Sequence, residues 1–104
     1  MNDKPISEEY RLAAKEMVAL EAAANLLEES KTATLARLVS DQGDIPVNRA
    51  ETNVKASEQW QEYLKQMVQA RHDASLAKVK VKWIEMRFNE RQSSEATARA
   101  ERRL

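Results

Sequence analysis

The only glycine of the chain, Gly43, and the second of its two prolines, Pro46, fall inside one short polar stretch, Ser40-Asp41-Gln42-Gly43-Asp44-Ile45-Pro46. A sheet of several strands needs turn residues at regular intervals, and this chain of 104 residues does not supply them. Much of the remainder is Ala, Leu, Glu, Gln, Arg and Lys, whose side chains lose little rotamer freedom on a helix. The chain is therefore expected to be all-α, with long helices joined at that stretch. Its length suits one small domain or one extended helical element and is too short for two independent cores.

Apolar and small residues then give the helices a facing side. Tyr10, Ala13, Met17, Leu20, Ala24 and Leu27 recur at steps of three and four, followed less regularly by Lys31, Thr34 and Leu38. That spacing is a heptad seam. Ser7 reads as its N-cap, with Glu8 and Glu9 at the positive end of the helix dipole. One helix over about 7–40 is predicted, then a loop over 41–47. Asn48 with Glu51 three residues on resembles a capping box and predicts a short helix over about 49–56. At Ser57 a kink or a continuous run is expected. Trp60, Tyr63, Met67, Ala70, Ala74, Ala77, Val81, Ile84 and Phe88 restore the seam in a long helix over about 58–103. Past Phe88 the same positions hold Arg91, Glu95, Ala98 and Arg102, so residues 89–104 are expected to overhang. At about 1.5 Å per residue the first helix would reach roughly 50 Å and the last nearer 70 Å.

The two seams fit each other as an antiparallel helical hairpin. Setting Ala24 against Ala74 brings Leu38 to Trp60 and Tyr10 to Phe88, with a waist of small residues, Ala22–Ala24 against Ala70–Ala77. A shift by one heptad is not distinguished by spacing alone. Charge suits the same pairing. The chain is formally neutral, yet residues 1–52 hold 6 Lys/Arg against 10 Asp/Glu and residues 53–104 hold 11 against 7. An acidic half beside a basic half is expected to attract.

Several function classes find no support in the residues. Cysteine is absent, so there is no disulfide framework and no thiolate metal site. No apolar run approaches the roughly 20 residues needed to cross a bilayer, and Met1-Asn2-Asp3-Lys4-Pro5 lacks the layout of a secretory signal. A cytoplasmic protein without membrane contact is the expectation. His72 is the sole histidine and reads as an ordinary helix-surface side chain, which leaves no partner for a catalytic triad or a paired-histidine metal site. Adjacent carboxylates such as Glu8-Glu9 and Glu28-Glu29 diverge around a helix. No glycine-rich loop cradles phosphate. No catalytic residue, metal, cofactor or small-molecule substrate is expected, and the chain is read as a non-enzyme.

Two surface features remain. Leu76, Val79, Trp83 and Met86 form a second apolar stripe on the face of the last helix opposite its seam. Leu12, Ala19, Ala22, Leu26, Ala33 and Ala36 repeat the idea more weakly on the first helix. Exposing a side chain such as Trp83 forgoes roughly 1.5–3 kcal/mol of burial, and contiguous exposed stripes usually mark an interface. Leu76, Val79, Trp83, Met86, Leu12 and Leu26 are therefore candidate docking residues. They would serve self-association into a coiled-coil or four-helix dimer, capture of a foreign protein, or simple cover by the 49–56 helix. The second feature is arginine near the C-terminus: Arg87, Arg91, Arg99, Arg102 and Arg103, whose planar forks suit phosphate. Interleaved Glu90, Glu95 and Glu101, with Glu95–Arg99 at ion-pair spacing, favour a salt-bridged exposed helix over a nucleic-acid surface.

The stretch from Ala56-Ser57-Glu58-Gln59-Trp60 to Lys80-Val81-Lys82-Trp83-Ile84-Glu85-Met86-Arg87, together with Val47-Asn48-Arg49-Ala50-Glu51, resembles small helical coiled-coil proteins encoded by bacteriophages beside recombination and single-strand annealing genes. The resemblance covers roughly the last 60 residues and is one of helical pattern. It implies an accessory or modulator of DNA metabolism in a host cytoplasm, and it transfers no catalytic residues. Three roles follow: a protein–protein interaction module that binds or inhibits an enzyme complex, a DNA-binding recombination accessory, or an assembly scaffold.

Overall fold

The computed structural model describes residues 4–103, which form four helices and no strand. They are α1 (Ile6–Glu29), α2 (Lys31–Ser40), α3 (Val47–Lys55) and α4 (Glu58–Arg103). Met1, Asn2 and Asp3, part of the stretch read for a secretory signal, and Leu104, the end of the expected overhang, lie outside the described residues. The molecule is a rod with extents of 84 × 21 × 20 Å. Its radius of gyration, 23.3 Å, far exceeds the roughly 13 Å of a compact domain of this length.

Helix starts differ from the sequence reading. Pro5 and Pro46, rather than Ser7 and Asn48, occupy the N-cap positions of α1 and α3, and neither start uses a side-chain cap. Proline fixes φ near the helical value and brings no N–H that would go unsatisfied. Its carbonyl accepts the first helical bonds: Pro5 from Glu8 N at 3.0 Å and Glu9 N at 3.1 Å, Pro46 from Ala50 N at 3.0 Å. At Ser57 the chain does break, and Ser57 Oγ accepts from Trp60 N at 3.2 Å to cap α4. Between α2 and α3 the turn passes through Gly43 at φ +83°, a left-handed conformation that glycine adopts without a Cβ penalty.

The expected unbroken first helix is interrupted at one residue. Ser30, with φ −82° and ψ −4°, departs from α geometry and separates α1 from α2. The i to i−4 ladder nonetheless passes through it, from Ser30 N to Leu26 O and from Thr34 N to Ser30 O, both 2.9 Å. Beyond Ser30, α2 packs chiefly on α3, while α1 packs along α4.

Two clusters of buried residues result. At the tip Leu38, Val54 and Trp60 meet, with Leu35, Val39, Tyr63 and Leu64 against them. Tyr63 stacks on Trp60 with ring centroids 5.5 Å apart and donates its hydroxyl proton to the Leu27 carbonyl. Toward the other end Ala13, Val81 and Ile84 are buried, with Ile6 and Met17 beside them. Between the clusters Ala24, Ala74 and Ala77 are buried and allow close approach. Ala22, expected at this waist, is exposed.

Contacts between α1 and α4 fix direction and register. Arg71 reaches Glu28 at 2.7 and 2.9 Å and Asn25 at 2.7 Å. Lys78 meets Glu21 at 3.5 Å, Lys80 meets Glu16 at 3.8 Å, and Arg87 meets Glu9 at 3.2 Å. Partners descend on α1 as they ascend on α4, so the helices run antiparallel. Each of these ion pairs joins a glutamate of α1 to a base of α4, which is the acidic and basic division of the sequence realised in space.

Candidate functional site

On α4 the buried positions centre on one side, and at about 100° per residue Leu76, Val79, Trp83 and Met86 fall on the opposite side. All four project into solvent, each residue being 55 to 62% exposed. The short helix α3 does not cover them. Its buried residues Ala50 and Val54 face the tip, where α3 packs against α2 and the start of α4. Of the three alternatives for this stripe, cover by the 49–56 helix is therefore not the one the fold adopts.

Trp83 is held rather than loose. The Arg87 guanidinium carbon lies 4.8 Å from the centre of its ring, and the same guanidinium is tied to Glu9 on α1. A cation held over an indole face is attracted by the ring quadrupole. The α1–α4 pairing therefore restrains Trp83 through an arginine one turn further on. Tryptophan and arginine fixed before contact are the residue types that dominate docking energies, since little side-chain freedom remains to be lost.

The weaker stripe of α1 divides. Leu12, 37% exposed, lines a groove that also contains Glu9, Lys80, Trp83 and Arg87, so it extends the α4 surface around one edge. Leu26, 65% exposed, lies well along α1 from that groove, between Asn25 and Leu27, which contact Arg71 and Tyr63 of α4. The fold does not join it to Trp83. Val68, 65% exposed, was missed. It shares the outward face two steps of four before Leu76, and the polar His72 between them interrupts the apolar spacing in the sequence.

The arginines do not act as a set. Arg87 belongs to Trp83 and Glu9. Arg91 pairs with Glu95 at 3.5 Å, so Glu95 bonds toward the N-terminal side rather than to Arg99. Arg99, Arg102 and Arg103 are exposed and make no ion pair among the described residues. The helix carrying them continues beyond Phe88, passing the start of α1 at Ile6 and Ser7, and of residues 89–103 only Ala98 is partly covered.

Titration behaviour follows the interhelical contacts. The Arg71 hydrogen bond holds the Glu28 carboxyl below its ordinary value, and the same bond raises Arg71. Arg11 does the same for Glu8 within α1. Tyr10 donates to Glu85 at 3.1 Å, and that bond to a carboxylate raises the phenol. His72 is exposed, with Nδ1 3.5 Å from Asp73 Oδ1. Among the described residues no three His, Cys, Asp or Glu side chains gather to hold a metal ion, and no helix is long and apolar enough to cross a membrane.

Comparison with known proteins finds no match: no family model, no curated protein and no solved structure is similar to this chain. The outward face of α4 is thus the feature from which a function must be argued.

Proposed function

We propose that this chain is a non-enzymatic helical hairpin that works by docking the outward face of α4 onto another protein surface. The observation that carries the reading is the exposed row Leu76, Val79, Trp83 and Met86 on a helix whose other side is already packed. Its occupation would remove from water a tryptophan that is 56% exposed and already restrained by Arg87. Self-association into a coiled-coil or four-helix dimer uses this face, and so does capture of an enzyme complex. If the resemblance to phage-encoded helical proteins is one of function, such a complex belongs to DNA metabolism in a host cytoplasm; an enzyme complex of defence would suit the same docking face.

A second reading is favoured by one observation, the exposure of Arg99, Arg102 and Arg103 on the overhanging end of α4, where they make no ion pair among the described residues. These side chains suit phosphate oxygens, and a DNA-binding accessory would use them.

One experiment separates the two. The paired substitution Trp83→Glu with Met86→Glu is compared with the unaltered chain by circular dichroism, sedimentation and affinity capture from cell lysate. Retained helicity with lost association is expected for a docking face. Association that survives the paired substitution ends that reading. Captured nucleic acid whose retention falls steeply with added salt supports the arginine reading instead.

A further inference from the structure

The outward face of α4 reads nearly the same from either end. Its positions are Lys65, Val68, His72, Leu76, Val79, Trp83, Met86 and Glu90, all exposed. Inward from one end the order is a base, an apolar residue, an aromatic heterocycle and an apolar residue. Inward from the other it is an acid, an apolar residue, an aromatic heterocycle and an apolar residue. Spacings agree as well. Counted from Lys65 and from Glu90, the second positions differ by one residue and all the others coincide.

From this we infer that the face is occupied by α4 of a second copy, packed antiparallel about a twofold axis that passes between Leu76 and Val79. This rests on the docking reading of the same face. In an isologous contact residue i meets residue j and j meets i, and the spacing supplies each pair. Leu76 meets Val79 at the centre, His72 meets Trp83, Val68 meets Met86, and Lys65 meets Glu90 at the ends, each twice. Lys65 and Glu90 then lie roughly 19 Å on either side of the axis.

Charge selects this arrangement over its rivals. A parallel pairing in register sets Lys65 on Lys65 and Glu90 on Glu90, like charges at both ends. An antiparallel pairing displaced outward by one heptad keeps Leu76 and Val79 covered, but sets Val68 against Ser94 and Lys65 against Thr97. The pairing centred between Leu76 and Val79 sets leucine on valine, valine on methionine and the two aromatic heterocycles on each other, and closes both ends with acid on base.

The overhang of α4 also acquires a track. With the axis at that place, Ser94 lies against Gln61 of the second copy and Thr97 against Glu58, so hydroxyl groups meet an amide and a carboxylate. The overlap then runs from the start of α4 to Thr97, roughly 60 Å. Because the buried and outward sides of α4 are about 180° apart, the two α4 helices lie back to back with an α1 on each outer side. The result is a layer of long helices rather than a square bundle.

Cysteine is absent from the chain, so single cysteines report the register cleanly. Lys65→Cys and Glu90→Cys chains are prepared separately, sized, mixed and oxidised mildly. The expected outcome is a dimer by sedimentation and a disulfide joining one variant to the other, with little cross-linking of either alone. Lys65→Glu should weaken the dimer several-fold, and the further change Glu90→Lys should restore it. Cross-linking of each variant to itself, or a dimer with no mixed disulfide, overturns the antiparallel register while leaving the face as a docking surface. A chain that remains monomeric at every concentration overturns the second copy as occupant, and loss of partner binding in the Trp83 and Met86 variant then still tests docking separately.

Discussion

At the residue scale, charge pairing and titration meet in Arg71. Its guanidinium binds Glu28 through two nitrogens and Asn25 through one of them, which fixes orientation as well as distance. Glu28 has its carboxyl held below the ordinary value of 4.5, chiefly by that bond. A carboxylate depressed in the folded state contributes stability above its unfolded value, and the contribution is lost as pH falls through the folded value. Glu28→Gln should therefore destabilise the chain at neutral pH but flatten the acid side of its stability profile. Denaturant titrations across the acid range check this, and parallel profiles for the two proteins would contradict it. Tyr10 has the opposite sign. Its raised phenol adds stability below its ordinary value of 10.0, and that stability is lost as pH rises through the folded value. Both groups are open to solvent, so these contacts set direction more than they set stability.

At the element scale, the bulkiest buried side chain sits at the tip, where three helices meet. Trp60 is 4% exposed and packs with Leu38 and Val54, whereas the α1–α4 pair is held in its middle by alanines. Truncating a buried tryptophan removes its transfer free energy and leaves a cavity, at about 3–5 kcal/mol. Trp60→Ala should lower unfolding free energy by that amount, a large part of the margin of a chain this small. Thermal and urea melts measure it, and a loss below about 1 kcal/mol would show that the tip does not anchor the fold. The tip was only partly legible beforehand. The meeting of Leu38 with Trp60 follows from seam spacing, but Val54 came from a helix assigned only by its cap signals. The interruption at Ser30 had no local signal, since serine is tolerated within helices and the hydrogen-bond ladder is kept.

On the scale of the whole molecule, α4 is the axis of the rod: 46 residues long, against 24 for α1. A second copy laid back to back, with its axis between Leu76 and Val79, covers the overhang without lengthening the particle much. Its long dimension should be about 90 Å at 1.5 Å per residue, against 84 Å for one copy. Small-angle scattering reads this directly. A dimer joined end to end through the overhangs would be much longer and would rule out the layered arrangement.

The sequence by itself determined the helical class, the single polar turn at Gly43 and Pro46, and the seams. It also determined the division of charge that reappears as Glu–Arg and Glu–Lys pairs between α1 and α4. These are local or periodic properties: propensity, turn chemistry and spacing act within a few residues and survive in any packing. It also marked the Leu76, Val79, Trp83 and Met86 stripe as surplus, because a face opposite a buried seam must point away from it. Where α3 sits, where the first helix is interrupted, and that Leu12 joins Trp83 while Leu26 does not were decided only by the tertiary structure. Those depend on how three helices share the space around Trp60 and on the relative rotation of α1 and α4. Such packing relations join residues far apart in the chain, and no periodicity along one helix encodes them.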